Sequence, residues 1–427
     1  MATRTSAGEE GVRAGALSSV ARDRVGMPPS AWVLAVGSRV ALFIAVYLSA
    51  VYLHHRPRTG GLVYEPADRL HGWLGPLVNP WTNWDGEWYL RIAASGYRRG
   101  VETAFFPLYP MVVRWVGYLD GHATAVAGIG VSLGFFFAAS VALYRLVVAD
   151  FGRRVAWLSV ACLSLFPTSF FFQAVYTESA FLFFTVACVL AARRRRWLLA
   201  GVAGFFATLT RNTGLLVLVP MLVFYLEDRD WRLWRVDRRL AAFALVPSGL
   251  LVWMAFLWVR FGHPLEFAAA QSRWHRSFTA PWNTLADGVP AAIAGVDHLV
   301  RHGVDQVFVP AGAALPVGSD FGLRGLPNVL ALLVLVLAVV VVALTARRLG
   351  LAYTLYAAAA LVAPLFYPTP RQPLYSMPRF VLAVFPLFIG LGILTERRRW
   401  LAVPLLVVSA ATMLLLASFF ARFVFVA

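Results

Sequence analysis

Long apolar runs alternate along this chain with short, arginine-bearing segments. The runs able to cross about 30 Å of hydrocarbon are approximately 31–53, 122–148, 155–174, 178–192, 240–260, 326–346, 349–367, 380–395 and 400–424. One further apolar stretch, 197–226, is interrupted by Arg211-Asn212-Thr213-Gly214 and flanked by basic segments at both ends. A chain that starts and finishes on the same side must turn back, so the interruption predicts a hairpin of two short helices with Arg211 at its apex. Irregular backbone at membrane depth is tolerated only where it is buried in protein or lines a polar cavity, so Arg211 is expected to point into a site.

Orientation follows from where arginine accumulates: the N-terminal tail, Arg153-Arg154, the run Arg193 to Arg196, the segment 229–239, Arg347-Arg348 and the run Arg397 to Arg399 are expected on the cytoplasmic side. With the hairpin counted as two, the pattern predicts about 11 transmembrane helices, the N-terminus inside and the C-terminus outside. The external segments are then 54–121, a short bend near 173–178, 262–325 and 368–379. Residues 1–30 are polar, lack a small-residue cleavage site after the first apolar run, and are read as a disordered cytoplasmic tail. Residues 31–427 form one polytopic domain.

Composition agrees: 60% of residues are hydrophobic and 14% charged, the balance of an all-α integral membrane protein. A formal net charge of +17 raises the question of nucleic acid, but every basic side chain is arginine and the arginines cluster between apolar runs. That pattern is topological and argues against an RNA or DNA partner. A lysine-free basic set fits a GC-rich bacterial genome, and with it a bacterial plasma membrane. Cys162 and Cys188 lie in apolar runs without CxxC or Cys/His spacing, so they read as small buried hydrophobes.

The chemistry concentrates in WTNWDGEWYLRIAASGYRRGVETAFFPLYP, residues 81–110, where acids stand among aromatics in an external segment. Asp85, Trp88, Tyr89, Ile92 and Ala93 recur at helical spacing, predicting an amphipathic helix along the membrane surface with Asp85 at its start. There Asp85 can cap the helix or supply a catalytic carboxylate. Glu102, before the AFFPLYP hook, reads as a solvated loop acid or a sugar ligand. Glu178 stands in FFFQAVYTESAFLFF with no adjacent base, so it either caps the next helix or finds a partner across the fold. Arg211 and Arg379 are its natural partners, although Arg379 could instead reach to headgroups. Gln271-Ser272-Arg273-Trp274-His275 suits an interfacial helix or a lipid-phosphate contact. Arg39, inside the first span, is expected to pair within the bundle.

WDGEWYLRIAASGY followed by AFFPLYP resembles the signature of the PIG-V mannosyltransferase family, and more closely that of its bacterial relatives. Tyr176-Thr177-Glu178-Ser179 is similar to the family's Tyr-x-Glu-Ser, Thr210-Arg211-Asn212-Thr213-Gly214 to its Arg-Ser-Asn-Gly element, and Pro378-Arg379-Phe380 to its Arg-Phe. Asn212-Thr213 stands where the family has Ser-Asn. The resemblance implies a GT-C glycosyltransferase fold, a polyprenyl-phosphate-linked mannose as donor, an external-face glycolipid or glycan acceptor, and an acid of the first external loop as base. Asp85 is the expected base. Trp84, Glu87, Glu102, Tyr109, Glu178, Arg211, Asn212 and Arg379 are the expected substrate-binding set, with the arginines meeting the phosphate. One carboxylate base and a direct displacement imply inversion at the anomeric carbon. No cofactor or metal is required by these residues. A flippase for a lipid-linked sugar is the alternative, suggested by the broken helix pair around Arg211. Internal repetition would favour it, and none is evident. A non-catalytic scaffold would leave the clustered acids and arginines without a cause.

Overall fold

The computed structural model describes residues 26–53, 70–119, 124–302, 325–370 and 372–424. Most of the expected N-terminal tail and parts of the three expected external loops (54–69, 120–121, 303–324 and 371) lie outside the described residues. Within them the regular structure is entirely helical.

The helices follow the apolar runs. In chain order they are α1 (Pro29–Tyr52), α2 (Asp85–Ser95), α3 (Leu108–Leu119), α4 (Thr124–Phe151), α5 (Arg153–Leu165), α6 (Glu178–Arg193), α7 (Trp197–Thr210) and α8 (Leu218–Glu227). There follow α9 (Leu245–Phe261), α10 (Pro281–His302), α11 (Leu326–Leu349), α12 (Leu351–Val362), α13 (Met377–Phe380), α14 (Phe385–Arg397) and α15 (Arg399–Ala421). In α1, Pro29 opens the helix where its missing N–H costs nothing, and Ala31, Ala35, Ser38, Leu42, Val46 and Ser49 form one buried stripe against α5 and α15. Val33, Val40 and Ile44 on the other face are exposed, as lipid-facing positions are.

By length and apolarity, five described helices can each cross a membrane: α1, α4, the stretch Arg238–Phe261 ending in α9, α11 and α15. Residues Met377–Ala383 and Phe385–Arg397 form a sixth only if joined across an 80° bend. The shorter apolar helices Trp197–Thr210, Asn212–Glu227 and Leu351–Phe366 occupy other expected runs. The expected run 155–174 is not one helix. Helix α5 stops at Leu165 because Pro167 lacks an N–H and pushes Phe166 out of the helical region, to φ −58° and ψ 143°.

The irregular stretch 166–177 is buried, and other elements satisfy its backbone. Arg39 of α1 donates to the Ser164 carbonyl at 2.7 Å, the Ser169 carbonyl at 2.8 Å and Ser169 Oγ at 2.8 Å, while stacking on Phe136. Ser132 of α4 donates to the Ala174 carbonyl at 2.7 Å, and Val175 N–H donates to the Trp81 carbonyl at 2.9 Å. Arg39 therefore pairs within the bundle with carbonyls rather than a carboxylate, which gives the broken helix acceptor groups their donors.

The two ends of the bundle differ. At one end Arg193 meets Asp150 at 2.9 Å, Tyr353 donates to Asp150 at 2.6 Å, Arg195 meets Asp228 at 2.7 Å and Arg348 meets Glu396 at 3.6 Å. Helix α6 is 16 residues long, so its first residue, Glu178, lies ~24 Å from that end. Helix α7 returns beside it and delivers Arg211 to Glu178's end.

Candidate functional site

Asp85 is the first residue of α2, and the residue before it explains its placement. Trp84 stands at φ 60° and ψ −120°, a backbone conformation that is costly for any side chain larger than glycine's, by ~1–3 kcal/mol. The kink is held from both sides. Tyr176 Oη donates to the Asn83 carbonyl at 3.0 Å and accepts from Asp85 N–H at 3.1 Å. Trp84 itself packs on Phe423, its ring centroid 5.9 Å away. A cavity of about 320 Å³ adjoins this side, lined by Leu70, His71, Asn83, Ala421 and Phe423 among others. Asp85 is not an N-cap: Trp84 holds that position and makes no side-chain cap, and the Asp85 carboxylate reaches away to another segment.

That carboxylate begins a line of alternating charge. Asp85 Oδ2 accepts from Arg379 Nη1 at 2.6 Å, Arg379 Nε lies 3.1 Å from Glu178 Oε1, and the same Oε1 accepts from Arg211 Nη2. Arg211 Nε also donates to Thr177 Oγ1 at 3.0 Å, and Thr177 Oγ1 is 3.3 Å from the Tyr89 hydroxyl. Glu178 is fully buried, and its Oε2 has no hydrogen-bond partner among the described residues. A buried carboxylate persists only with such pairing, and its unfilled oxygen remains an acceptor for a hydroxyl. Asp85 keeps 25% of its side-chain surface exposed, the most of the four.

Each charge comes from a different break in the helices. Asp85 and Glu178 both start helices, where the macrodipole favours an acid. Arg211 sits where α7 ends, and Gly214 lets the returning segment of the hairpin lie against α7: a Cβ there would stand 2.5 Å from the Ala207 carbonyl carbon and Thr208 N. Arg379 lies in the one-turn helix α13, whose entry residue Ser376 adopts φ 61°.

The remaining expected site residues are placed differently. Tyr109 is fully buried, its hydroxyl donating to the Gly128 carbonyl at 3.0 Å and bonding Ser132 Oγ at 2.7 Å. It is a strut under 174–175, where Gly128 allows close approach, since a Cβ there would meet Val175 Cγ1 at 2.8 Å. Glu102 is not a solvated acid. It is fully buried, ion-paired with Arg91 at 2.9 Å, and accepts from Arg98 N–H at 2.6 Å and Arg99 N–H at 3.0 Å. Glu87 is buried within α2, and Asn212 is exposed at the hairpin break.

The sequence reading missed one charged neighbour of the site. Arg276, just past the Gln271 to His275 cluster, follows His275 at φ 54° and turns inward to stack on Tyr375, its guanidinium carbon 5.0 Å from the ring centroid. Burial lowers its pKa from the ordinary value, an effect to which Arg379 adds and which Tyr375 and Asp85 oppose. The only sequence signal was adjacency to that basic and aromatic cluster, whose Trp274 packs on Trp88 and Phe105. Among the described residues, no group of three or more His, Cys, Asp or Glu side chains is placed to hold a metal ion.

Residues 68–261 match the family model described as mannosyltransferase (PIG-V). The chain is 28% identical over 249 residues to GPI mannosyltransferase 2 of Drosophila pseudoobscura pseudoobscura, covering 51% of this chain and 54% of that protein. It is 29% identical over 157 residues to GPI alpha-1,6-mannosyltransferase 2 of Cricetulus griseus, covering 34% and 31%. The chain thus spans about half or less of the length of the curated relatives it matches. Among solved structures it is similar to ArnT from Cupriavidus metallidurans bound to undecaprenyl phosphate, at TM-score 0.41 and 14% identity, covering 86% of this chain and 78% of that one. It is likewise similar to the Archaeoglobus fulgidus oligosaccharyltransferase, at TM-score 0.43 and 14% identity, covering 90% and 53%.

Proposed function

From the premise that this chain is PIG-V-like, we propose that it is a membrane glycosyltransferase. It moves a mannosyl residue from a polyprenyl-phosphate-mannose donor to a glycolipid or glycan acceptor, with inversion, at the external face of a bacterial plasma membrane. The observation that carries this reading is the line Asp85, Arg379, Glu178, Arg211, assembled from four helix breaks. It lies at the end of α6 opposite the arginine-rich termini, and arginine-rich ends are retained on the cytoplasmic side.

The chemistry assigned to these groups is as follows. Asp85 takes the proton of the acceptor hydroxyl as its oxygen forms a bond to the anomeric carbon. The bond from that carbon to the phosphate oxygen breaks, and the electron pair leaves with the polyprenyl phosphate, whose growing charge the guanidiniums offset. Arg379 orients Asp85 while leaving it partly exposed to the acceptor. Glu178 holds Arg379 and Arg211 together, and its free Oε2 is an acceptor for a sugar hydroxyl.

The test is reconstitution of the purified protein in liposomes carrying labelled polyprenyl-phosphate-mannose and a membrane glycolipid extract. A new glycosidic bond supports the proposal. Movement of the label across the bilayer without product would replace it with the flippase reading.

A further inference from the structure

Phe380 gathers three guanidiniums. The guanidinium carbons of Arg379, Arg211 and Arg276 lie 5.6, 5.8 and 5.8 Å from its ring centroid. Two of these cations are committed: Arg379 to Asp85 and Glu178, Arg211 to Glu178. The third is not. Among the described residues Arg276 makes ring contacts with Tyr375 and Phe380 but no ion pair and no side-chain hydrogen bond. Three positive groups thus face two negative ones in a half-buried space. Like charges held this close are stabilised when an anion joins them.

We infer that Arg276, stacked on Tyr375 and Phe380 beside Arg379 and Arg211, is the main contact of a phosphate seat. A planar guanidinium held by ring stacking keeps its N–H fork free for two parallel bonds to a phosphate, whereas Arg379 and Arg211 already spend N–H groups on Asp85, Glu178 and Thr177. That the phosphate belongs to the lipid-linked sugar donor rests on the function proposed above. The seat itself rests only on the charge arrangement. Its location also divides the labour: Asp85 and Glu178 are left to the acceptor and the sugar, and the leaving group is held from the side of residues 262–302.

The experiment measures thermal stabilisation of the purified, detergent-solubilised protein by farnesyl phosphate, farnesol and inorganic phosphate. Farnesyl phosphate should stabilise the wild type, and farnesol at equal concentration should not. Arg276→Ala should weaken farnesyl phosphate binding at least tenfold, Arg276→Lys should fall between, and Arg301→Ala, an exposed arginine of α10 paired with Asp297, should bind as wild type. Equal stabilisation by inorganic phosphate, abolished in Arg276→Ala, would support a seat that reads phosphate alone, whereas dependence on the isoprenyl chain would support a lipid-borne phosphate. Unchanged farnesyl phosphate binding by folded Arg276→Ala, or equal stabilisation by farnesol, would overturn the seat. Because binding is read without turnover, the two claims separate. Arg276-dependent binding in a protein that forms no glycosidic bond would sink the transferase reading alone, and transfer by Arg276→Ala at unchanged donor KM would sink the seat alone.

Discussion

Glu178→Gln removes one negative charge from the centre of the site while keeping its shape. Its Oε1 is shared by Arg211 and Arg379, the latter at 3.1 Å, and the side chain is fully buried while the two arginines are 15% and 14% exposed. Removing one partner of a buried pair costs ~3–5 kcal/mol, because the remaining charge stays out of water. Glutamine retains an acceptor oxygen, so the lower end, ~3 kcal/mol, is expected. With an unfolding entropy of ~2.1 cal/mol/K per residue over this chain, that loss lowers the thermal midpoint by ~3 °C. The assay is thermal unfolding of detergent-purified protein at a fixed scan rate. Glu396→Gln is the control: its partner Arg348 is 3.6 Å away and both are partly exposed, so its effect should stay below ~1 kcal/mol. A midpoint for Glu178→Gln equal to or above the wild type would refute the reasoning, since it would mean that Glu178 does not hold the two cations together.

Tyr109→Phe should lower stability by ~1–2 kcal/mol through loss of its bonds to Gly128 and Ser132, with donor KM unchanged. A raised KM at unchanged stability would make it a substrate ligand instead of a strut. Gly128→Val should force residues 174–175 away and cost ~1–3 kcal/mol by overpacking, with a matching fall in transfer because Val175 is tied to Trp81 beside the site. Wild-type stability and activity in that variant would show that the close approach is dispensable.

The parts of the fold legible in the sequence were those set by local pattern. Most of the apolar runs became helices, 155–174 excepted, the interruption at Arg211 became a break between two short helices, and Asp85 began a helix. Glu178 was recognisable as needing a partner because a carboxylate among phenylalanines has no cheaper solution, and its pairing with Arg211 and Arg379 follows. What stayed hidden depends on contacts distant in the chain. Nothing in AFFPLYP reveals that Tyr109 meets Gly128 and Ser132. Nothing in VETAF reveals that Glu102 is buried against Arg91. The break at Pro167 was passed over when 155–174 was read as one span, and its consequence, a buried irregular stretch served by Arg39 from the first helix, is a tertiary fact. Arg276 was overlooked because its ring contacts arise only when Tyr375 and Phe380, distant in the chain, pack against it.

The central claim is that Asp85 removes the acceptor proton. Asp85→Asn keeps the side-chain volume and a hydrogen-bond acceptor for Arg379 but removes the basic oxygen, so transfer of labelled mannose from polyprenyl-phosphate-mannose should fall by ~10²–10⁴-fold in liposomes holding equal amounts of folded protein. Undiminished transfer by that variant would contradict the account.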